Sequence, residues 1–366
     1  MNESADRPVL ALVGTGGLAR AICYSLAGNP HPARVLVIGR DAAKAAAIAY
    51  VAATRAAVAG VRTTFQPLTA DLADPGSLAR HRPRGVLLAA STQSPWEGLA
   101  APSAWTALLK RAGFGLTLPF QADSALRVGA AAAEAGAWFV NACFPDAVNP
   151  LLAARGVPVL CGIGNAGLLA ASLQAALGLP DQGALRVLAH HVHLYTPEGP
   201  QDEALAWCDG RPVAGVGDLL AAQRATPRTE LNHVTGHTAA RVLDALLRGT
   251  DLDTSLPGPL GLPGGYPVRL TGGRVETRLP PELSRAEAVA FNQRAALRDG
   301  VAVDGDHVVF GPAARTELDP LAPDLAAGFP VSDLEQVTWH LDLLRARLRD
   351  RAHPDDQTTP IPVSPL

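Results

Sequence analysis

Directly after a short apolar run at residues 8–13, the chain reads Gly14-Thr15-Gly16-Gly17-Leu18-Ala19. Gly14 permits a tight turn, Gly16 lets backbone approach a bulky anion, and the small Ala19 lets the following helix pack close to the strand. Unpaired N–H groups at the start of that helix complete a cradle for a diphosphate. All six residues, with Thr15, Gly17 and Leu18 between the anchors, are therefore expected to hold a dinucleotide. The second strand candidate, residues 33–38, ends in Gly39-Arg40-Asp41. An acid at such a tip grips a ribose 2′-hydroxyl, whereas a guanidinium pairs with a 2′-phosphate. With Gly39 at the tip and Arg40 beside it, NADP(H) is expected over NAD(H). The other reading makes Asp41 the ribose ligand, although Asp41 also suits the cap of the next helix. Ser91 and Thr92, after the strand at 85–90, are expected beside the nicotinamide ribose.

A second set of residues could move protons. Asn141 closes the fifth strand candidate, and Asp146 follows in the segment Cys143-Phe144-Pro145-Asp146. Asn141 suits a nicotinamide amide or a carbonyl, and Asp146 could position a base or bind an amine. The alternative has Asp146 and Asn149 capping the next helix. His190, His191 and His193 fall on a stretch with strand character, residues 186–195. Strand periodicity puts His191 and His193 on one face, and imidazole titrates near neutrality. One of the pair, His193 or His191, is expected to be the proton relay, and this spacing hardly separates them. A metal would need a third ligand at a telling spacing, and none is evident, so no metal is assigned. His233 and His237 would share a helical face, making His237 another candidate. Tyr266 and Arg269, at the end of a run rich in glycine and proline, could contact a substrate carboxylate.

These residues need a scaffold that brings them to one edge. Strand candidates at 8–13, 33–38, 61–68, 85–90 and 137–142 alternate with helices, including 105–112 and 124–135. That alternation specifies an α/β fold with a doubly wound parallel sheet and right-handed crossovers. Residues 158–162 extend the same sheet, and 167–177 form an apolar helix leading away from it. Beyond it the pattern becomes α+β: a strand at 186–195, a helix at 234–247, and an irregular segment at 256–267. A helix at 284–298 opens on a Ser284–Glu287 capping box, and a last helix at 332–349 opens on serine. The expected units are a dinucleotide-binding domain at 1–165, a catalytic α+β domain at 166–350 and a flexible tail at 351–366.

Composition narrows the function classes. The 366 residues are 48% apolar and 18% charged, enough for two cores. A net charge of -3 offers no field for nucleic acid or an anionic membrane. Four scattered cysteines without a C-x-x-C pair suit buried thiols in a reducing compartment. No apolar run reaches the roughly 18 residues that span a bilayer, and the start lacks a signal sequence. A cytoplasmic protein with a small-molecule substrate is expected, and a homodimer is compatible with it.

The order of a strand ending in Asn141, then Pro145-Asp146, then Gly162-Ile163-Gly164-Asn165 before a helix, then a histidine-bearing segment and Trp207, resembles the lactate/malate dehydrogenases. The glycine loop and the Asn-bearing fifth strand are also similar to saccharopine-dehydrogenase-like reductases. The resemblance implies a Rossmann domain and hydride transfer to a nicotinamide. Leu168 and Ala171 stand where the lactate/malate family carries Asp and Arg, and its Gly-Glu-His-Gly turn is absent, so its hydroxy-acid clamp does not carry over. The expectation is an NAD(P)-dependent oxidoreductase acting on a small C=O or C=N compound. The alternatives are a cofactor-binding sensor without catalysis and redox-neutral use of a bound coenzyme.

Overall fold

The computed structural model describes residues 7–70, 76–94 and 97–350. Six strands form one parallel sheet: β1 (Val9–Val13), β2 (Arg34–Gly39), β3 (Thr64–Thr69), β4 (Gly85–Leu88), β5 (Trp138–Asn141) and β6 (Cys161–Gly162). Their order is β3-β2-β1-β4-β5-β6, so the direction of winding reverses beside β1. A ligand cleft is expected at that reversal, outside the carboxyl ends of the strands.

The inner strands β1, β2 and β4 are largely apolar because both faces are covered, whereas the edge strand β3, TFQPLT, is mostly exposed. On β1, Leu10 and Leu12 face one hydrophobic cluster while Ala11 and Val13 face the other. Val35 and Val37 of β2 join the first, Leu36 and Ile38 the second. Helices α1 (Gly17–Leu26) and α2 (Ala42–Val58) cover one face; α3 (Ala104–Ala112) and α4 (Leu118–Glu134) cover the other. Asp41 caps α2, its Oδ1 accepting from the Lys44 N–H at 3.0 Å.

Beyond β6, α5 (Asn165–Ala176) leads into an antiparallel sheet of β7 (Leu185–Leu188), β8 (Leu205–Cys208) and β9 (Arg211–Pro212). The long helix α6 (Arg228–Arg248) lies on α1. A Cβ at Gly236 would come 2.7 Å from Ala21, so only glycine permits this approach. A second antiparallel sheet follows, β10 (Leu252–Pro257), β11 (Gly265–Thr271) and β12 (Arg274–Thr277). Then come α7 (Arg285–Arg298), a third sheet of β13 (Val301–Asp304), β14 (His307–Phe310) and β15 (Phe329–Pro330), and α8 (Leu334–Arg349).

The C-terminal part does not stay apart from the first half. Val301, Phe310, Phe329 and the apolar stripe Leu334, Val337, Leu341, Leu344 and Leu348 share one hydrophobic cluster with α3, α4 and the parallel sheet. Arg349 pairs with Glu97 at 2.6 Å, and the Arg345 guanidinium lies 4.0 Å from the Phe120 ring centre. The expected partition at residue 165 is thus crossed by the returning chain. The expected tail, 351–366, lies outside the described residues.

Three local expectations are corrected. The segment 186–195 is not one strand: β7 ends at Leu188, and His191–Leu194 forms a short 3-10 turn. Residues 256–267 are not wholly irregular, since Leu256 pairs with Tyr266 and Pro257 with Gly265 across the β10–β11 hairpin. Ser284 and Glu287 do form their capping box, but Ser332 does not cap α8. Its hydroxyl donates to Asp333 Oδ1 instead.

Candidate functional site

The glycine loop sits at the carboxyl end of β1. Gly14 has φ +141°, and a Cβ there would lie 2.4 Å from the Ala89 carbonyl oxygen, so the loop is pressed against the end of β4. Its N–H donates to the Ile38 carbonyl at 2.8 Å. A side chain added at Gly16 would meet nothing within 4 Å, which leaves open space above the backbone. Gly16 is also the N-cap of α1 and supplies no side-chain cap, and no acid lies in the first turn. The first N–H groups of α1 are free for an anion. Ala19 is fully buried and brings α1 close to the sheet, while Leu18 is half-buried and Gly17 exposed. These features fit a dinucleotide diphosphate.

Next to this loop lies the tip of β2. A Cβ at Gly39 would sit 2.6 Å from Thr15 Cγ2, so the loop itself excludes a side chain at the tip. Arg40 is exposed, and Asp41 is engaged as the α2 cap and by Lys44 at 3.6 Å. After β4, the Ser91 hydroxyl reaches the Gln93 carbonyl and Gln121, and Thr92 donates to the Phe120 carbonyl at 2.7 Å. Both are exposed residues of the loop beside Ala89 and Ala90.

Contacts lead from there to the histidines. The Cys143 thiol donates to the Ala90 carbonyl at 3.0 Å, and burial pushes this thiol up to about 12. Asn141 is buried with both ends of its amide used: Oδ1 accepts from the Cys143 N–H and Nδ2 donates to Asn149. It therefore braces the turn, with one N–H and one oxygen lone pair of its amide committed. Asp146 caps no helix. Its Oδ1 accepts from Asn165 Nδ2 at 2.6 Å and its Oδ2 from the His191 N–H at 3.2 Å. The carboxylate thus ties the turn after β5 to the start of α5 and to the turn after β7.

The short 3-10 turn separates the two histidines that a strand would have kept together. His191 keeps a partly exposed ring whose Nδ1 donates to Asp299 Oδ1 at 3.0 Å. Asp299 follows α7 directly. Its burial opposes the charge, but the neighbouring His191, through charge and hydrogen bond, with His190 and His193 beyond, holds the carboxyl below the usual range. Around His191 stand Phe144, ring centres 3.9 Å apart, and Tyr195 at 5.9 Å; Phe114 stacks on Phe144. The Arg228 guanidinium lies 4.6 Å from the Tyr195 ring centre and donates to the Leu194 carbonyl. Arg224, paired with Glu203 at 2.7 Å, donates to the His193 carbonyl, so two arginines hold the turn.

His193 points inward. It stacks on Phe291 with ring centres 5.5 Å apart, and its Nδ1 accepts the His190 N–H at 2.7 Å. Burial, reinforced by the neighbouring His190 and Arg298, drives its pKa down to about 3. Between about pH 6.5 and 3 the unfolded chain takes up a proton here that the folded chain refuses, so acid favours unfolding. This contribution is complete above pH 6.5 and declines below it. His193→Asn, which keeps an acceptor for the His190 N–H, is expected to flatten the stability loss between pH 7 and pH 5 by about 2 kcal/mol. Urea melts at the two pH values measure this, and an unaltered pH slope would refute the assignment.

The remaining candidates lie outside this cluster. His237 does lie on a helix, α6, but its side chain is exposed. Tyr266 is fully buried in the sheet core and presents no surface to a substrate. Arg269 pairs with Asp251 at 2.8 Å and with Asp253 at 3.9 Å on the β10–β11 hairpin. The residues missed by the sequence were Asp299 and Arg228, and neither carries a local signal, while Asn165 stood in the Gly162-Ile163-Gly164-Asn165 motif without a role assigned to it. Among the described residues no group of three or more His, Cys, Asp or Glu could hold a metal ion, and no helix is long and apolar enough to cross a membrane.

No protein family matches the chain, and no curated protein matches it. Solved structures do. The malate dehydrogenase of Salinibacter ruber aligns over 86% of this chain and 99% of its own, with a TM-score of 0.55 and 14% identity. The chain has the lactate and malate dehydrogenase fold. The malate dehydrogenase of Picrophilus torridus shows the same likeness, with a TM-score of 0.54, 13% identity, and 87% and 99% coverage. A lactate dehydrogenase from Cryptosporidium parvum, solved with lactic acid and nicotinamide adenine dinucleotide, aligns over 80% of this chain and 96% of its own, with a TM-score of 0.50 and 13% identity. In the dehydrogenase fold, the parallel sheet in the order observed is followed by an antiparallel α+β region.

Proposed function

We propose that the chain is an NADP(H)-preferring oxidoreductase that interconverts a small carbonyl compound and its alcohol, with His191 as the proton-transfer residue. The observation that carries this reading is the His191–Asp299 pair, a partly exposed imidazole oriented by a buried carboxylate. It is linked to the glycine loop through Asp146, Cys143 and Ala90. Against the Gly-Glu-His-Gly turn of the dehydrogenases, the turn leaving β7 reads Ala189-His190-His191-Val192 and keeps the histidine.

Held along the α1 N-terminus, a nicotinamide coenzyme would supply or accept the hydride. The chain's own residues do the rest. With Nδ1 committed to Asp299, His191 has Nε2 left to give a proton to the carbonyl oxygen, or to take it from the alcohol. Asp299 fixes the tautomer and steadies the imidazolium. Asp146 holds the backbone of the same turn, and Phe144 and Phe114 keep one side of the ring apolar. Leu168 and Ala171 provide no clamp for a substrate carboxylate. Arg228 is the candidate for that task, because no carboxylate pairs with it among the described residues.

The reading is tested by following coenzyme oxidation against 2-oxo acids, simple ketones and cyclic imines. Turnover of a carbonyl supports it. Preference for imines would move the substrate to the C=N class, and tight coenzyme binding without turnover of any compound would make the chain a sensor. For an anionic substrate, Arg228→Ala is expected to raise KM about tenfold with kcat little changed. An unchanged KM would remove Arg228 from the site.

A further inference from the structure

His190 is only 1% exposed, yet neither of its ring nitrogens has a hydrogen-bond partner. Each nitrogen lies by a carboxylate: Nε2 is 3.7 Å from Asp146 Oδ2, and Nδ1 is 3.9 Å from Asp299 Oδ2. Asp299 Oδ2 is also buried without a hydrogen-bond partner. These separations exceed a hydrogen bond by less than an ångström. A neutral imidazole has one N–H and one lone pair, so it could satisfy one carboxylate only by turning its lone pair on the other.

We infer that His190 is held as an imidazolium bridging Asp146 and Asp299, and that it is a positioning residue acting on His191 through Asp299. Two carboxylates and one imidazolium leave a single net negative charge beside His191; without the bridge His191 would face two. Of the surrounding cations, Arg228 lies over Tyr195 beside His191 and pairs with no carboxylate among the described residues, but its charge is there with or without the bridge and so does not change the difference. Arg298 of α7 is paired with Asp202, and Arg224 with Glu203. His193 is kept neutral by burial. Helix α5, packed on the turn, contributes Asn165 and carries no charged residue. The bridge thus moderates the field that sets the proton affinity of His191. Only the kinetic consequence rests on the proposed role of His191.

Nitrogen-15 NMR of the full-length protein with labelled histidine tests this. At pH 7 both ring nitrogens of His190 are expected to be protonated, with the resonance assigned by its loss in His190→Gln. A bare nitrogen on His190 at pH 7 overturns the inference, and this measurement on the unaltered chain needs no stable variant. In His190→Gln the titration midpoint of His191 is expected to rise by about one pH unit, carrying the alkaline limb of carbonyl reduction with it. A His191 midpoint that stays in place also overturns the inference. If no carbonyl or imine is turned over, the enzymatic reading fails, but the protonation of His190 is still decided.

Discussion

Replacing His191 by glutamine is expected to slow carbonyl reduction about a thousandfold while leaving coenzyme affinity within about twofold. The side chain is a partly exposed imidazole with a buried carboxylate behind it. Glutamine fills similar space and can still donate to Asp299, but it has no proton to pass at neutral pH. The glycine loop that would hold the coenzyme makes its contacts with Ala89 and Ile38, not with His191, so binding is separable from chemistry. Asp299→Asn is expected to cost about a hundredfold, because an amide no longer dictates which ring nitrogen carries the proton. Stopped-flow measurement of a single turnover isolates the chemical step. A rate within about fivefold of the original chain in His191→Gln would place the proton donor elsewhere, whatever the substrate.

The second large effect is expected at Arg40. The strand tip carries glycine, and a side chain at Gly39 would crowd the Thr15 methyl. Asp41, the acid within reach, already caps α2 and pairs with Lys44. In the proposed function, recognition of the adenosine ribose would fall to Arg40, whose guanidinium suits a 2′-phosphate. Arg40→Asp removes a charge-assisted contact and adds repulsion, so NADPH is expected to lose about a hundredfold in affinity relative to NADH. Fluorescence titration with the two coenzymes reads the ratio directly. A ratio unmoved by the substitution would remove Arg40 from the coenzyme site.

The parallel sheet was legible because its inner strands are buried on both faces and read as short apolar runs followed by helices, while the exposed edge strand β3 left a weaker signal. The glycine loop was legible because its chemistry lies in six consecutive residues. The histidines were not. A strand reading makes His191 and His193 equivalent, whereas one short 3-10 turn sends His193 inward against Phe291 and leaves His191 beside Asp299. Asp299 is 108 residues further along the chain and looks there like the end of a helix. Long-range pairing of that kind leaves no trace in spacing. Tyr266 was misplaced for a related reason: the glycines and prolines around it signal turns, but its partner Leu256, which makes it part of a hairpin, lies on the far side of them.

The return of residues 301–350 onto α3 and α4 bears on how the molecule is made. A nascent chain that has emerged only as far as residue 300 would carry the outer apolar sides of α3 and α4 uncovered, since Phe310, Phe329, Leu341 and Leu348 had yet to follow. Vectorial synthesis therefore does not complete the parallel-sheet unit and release it before residues 301–350 have followed.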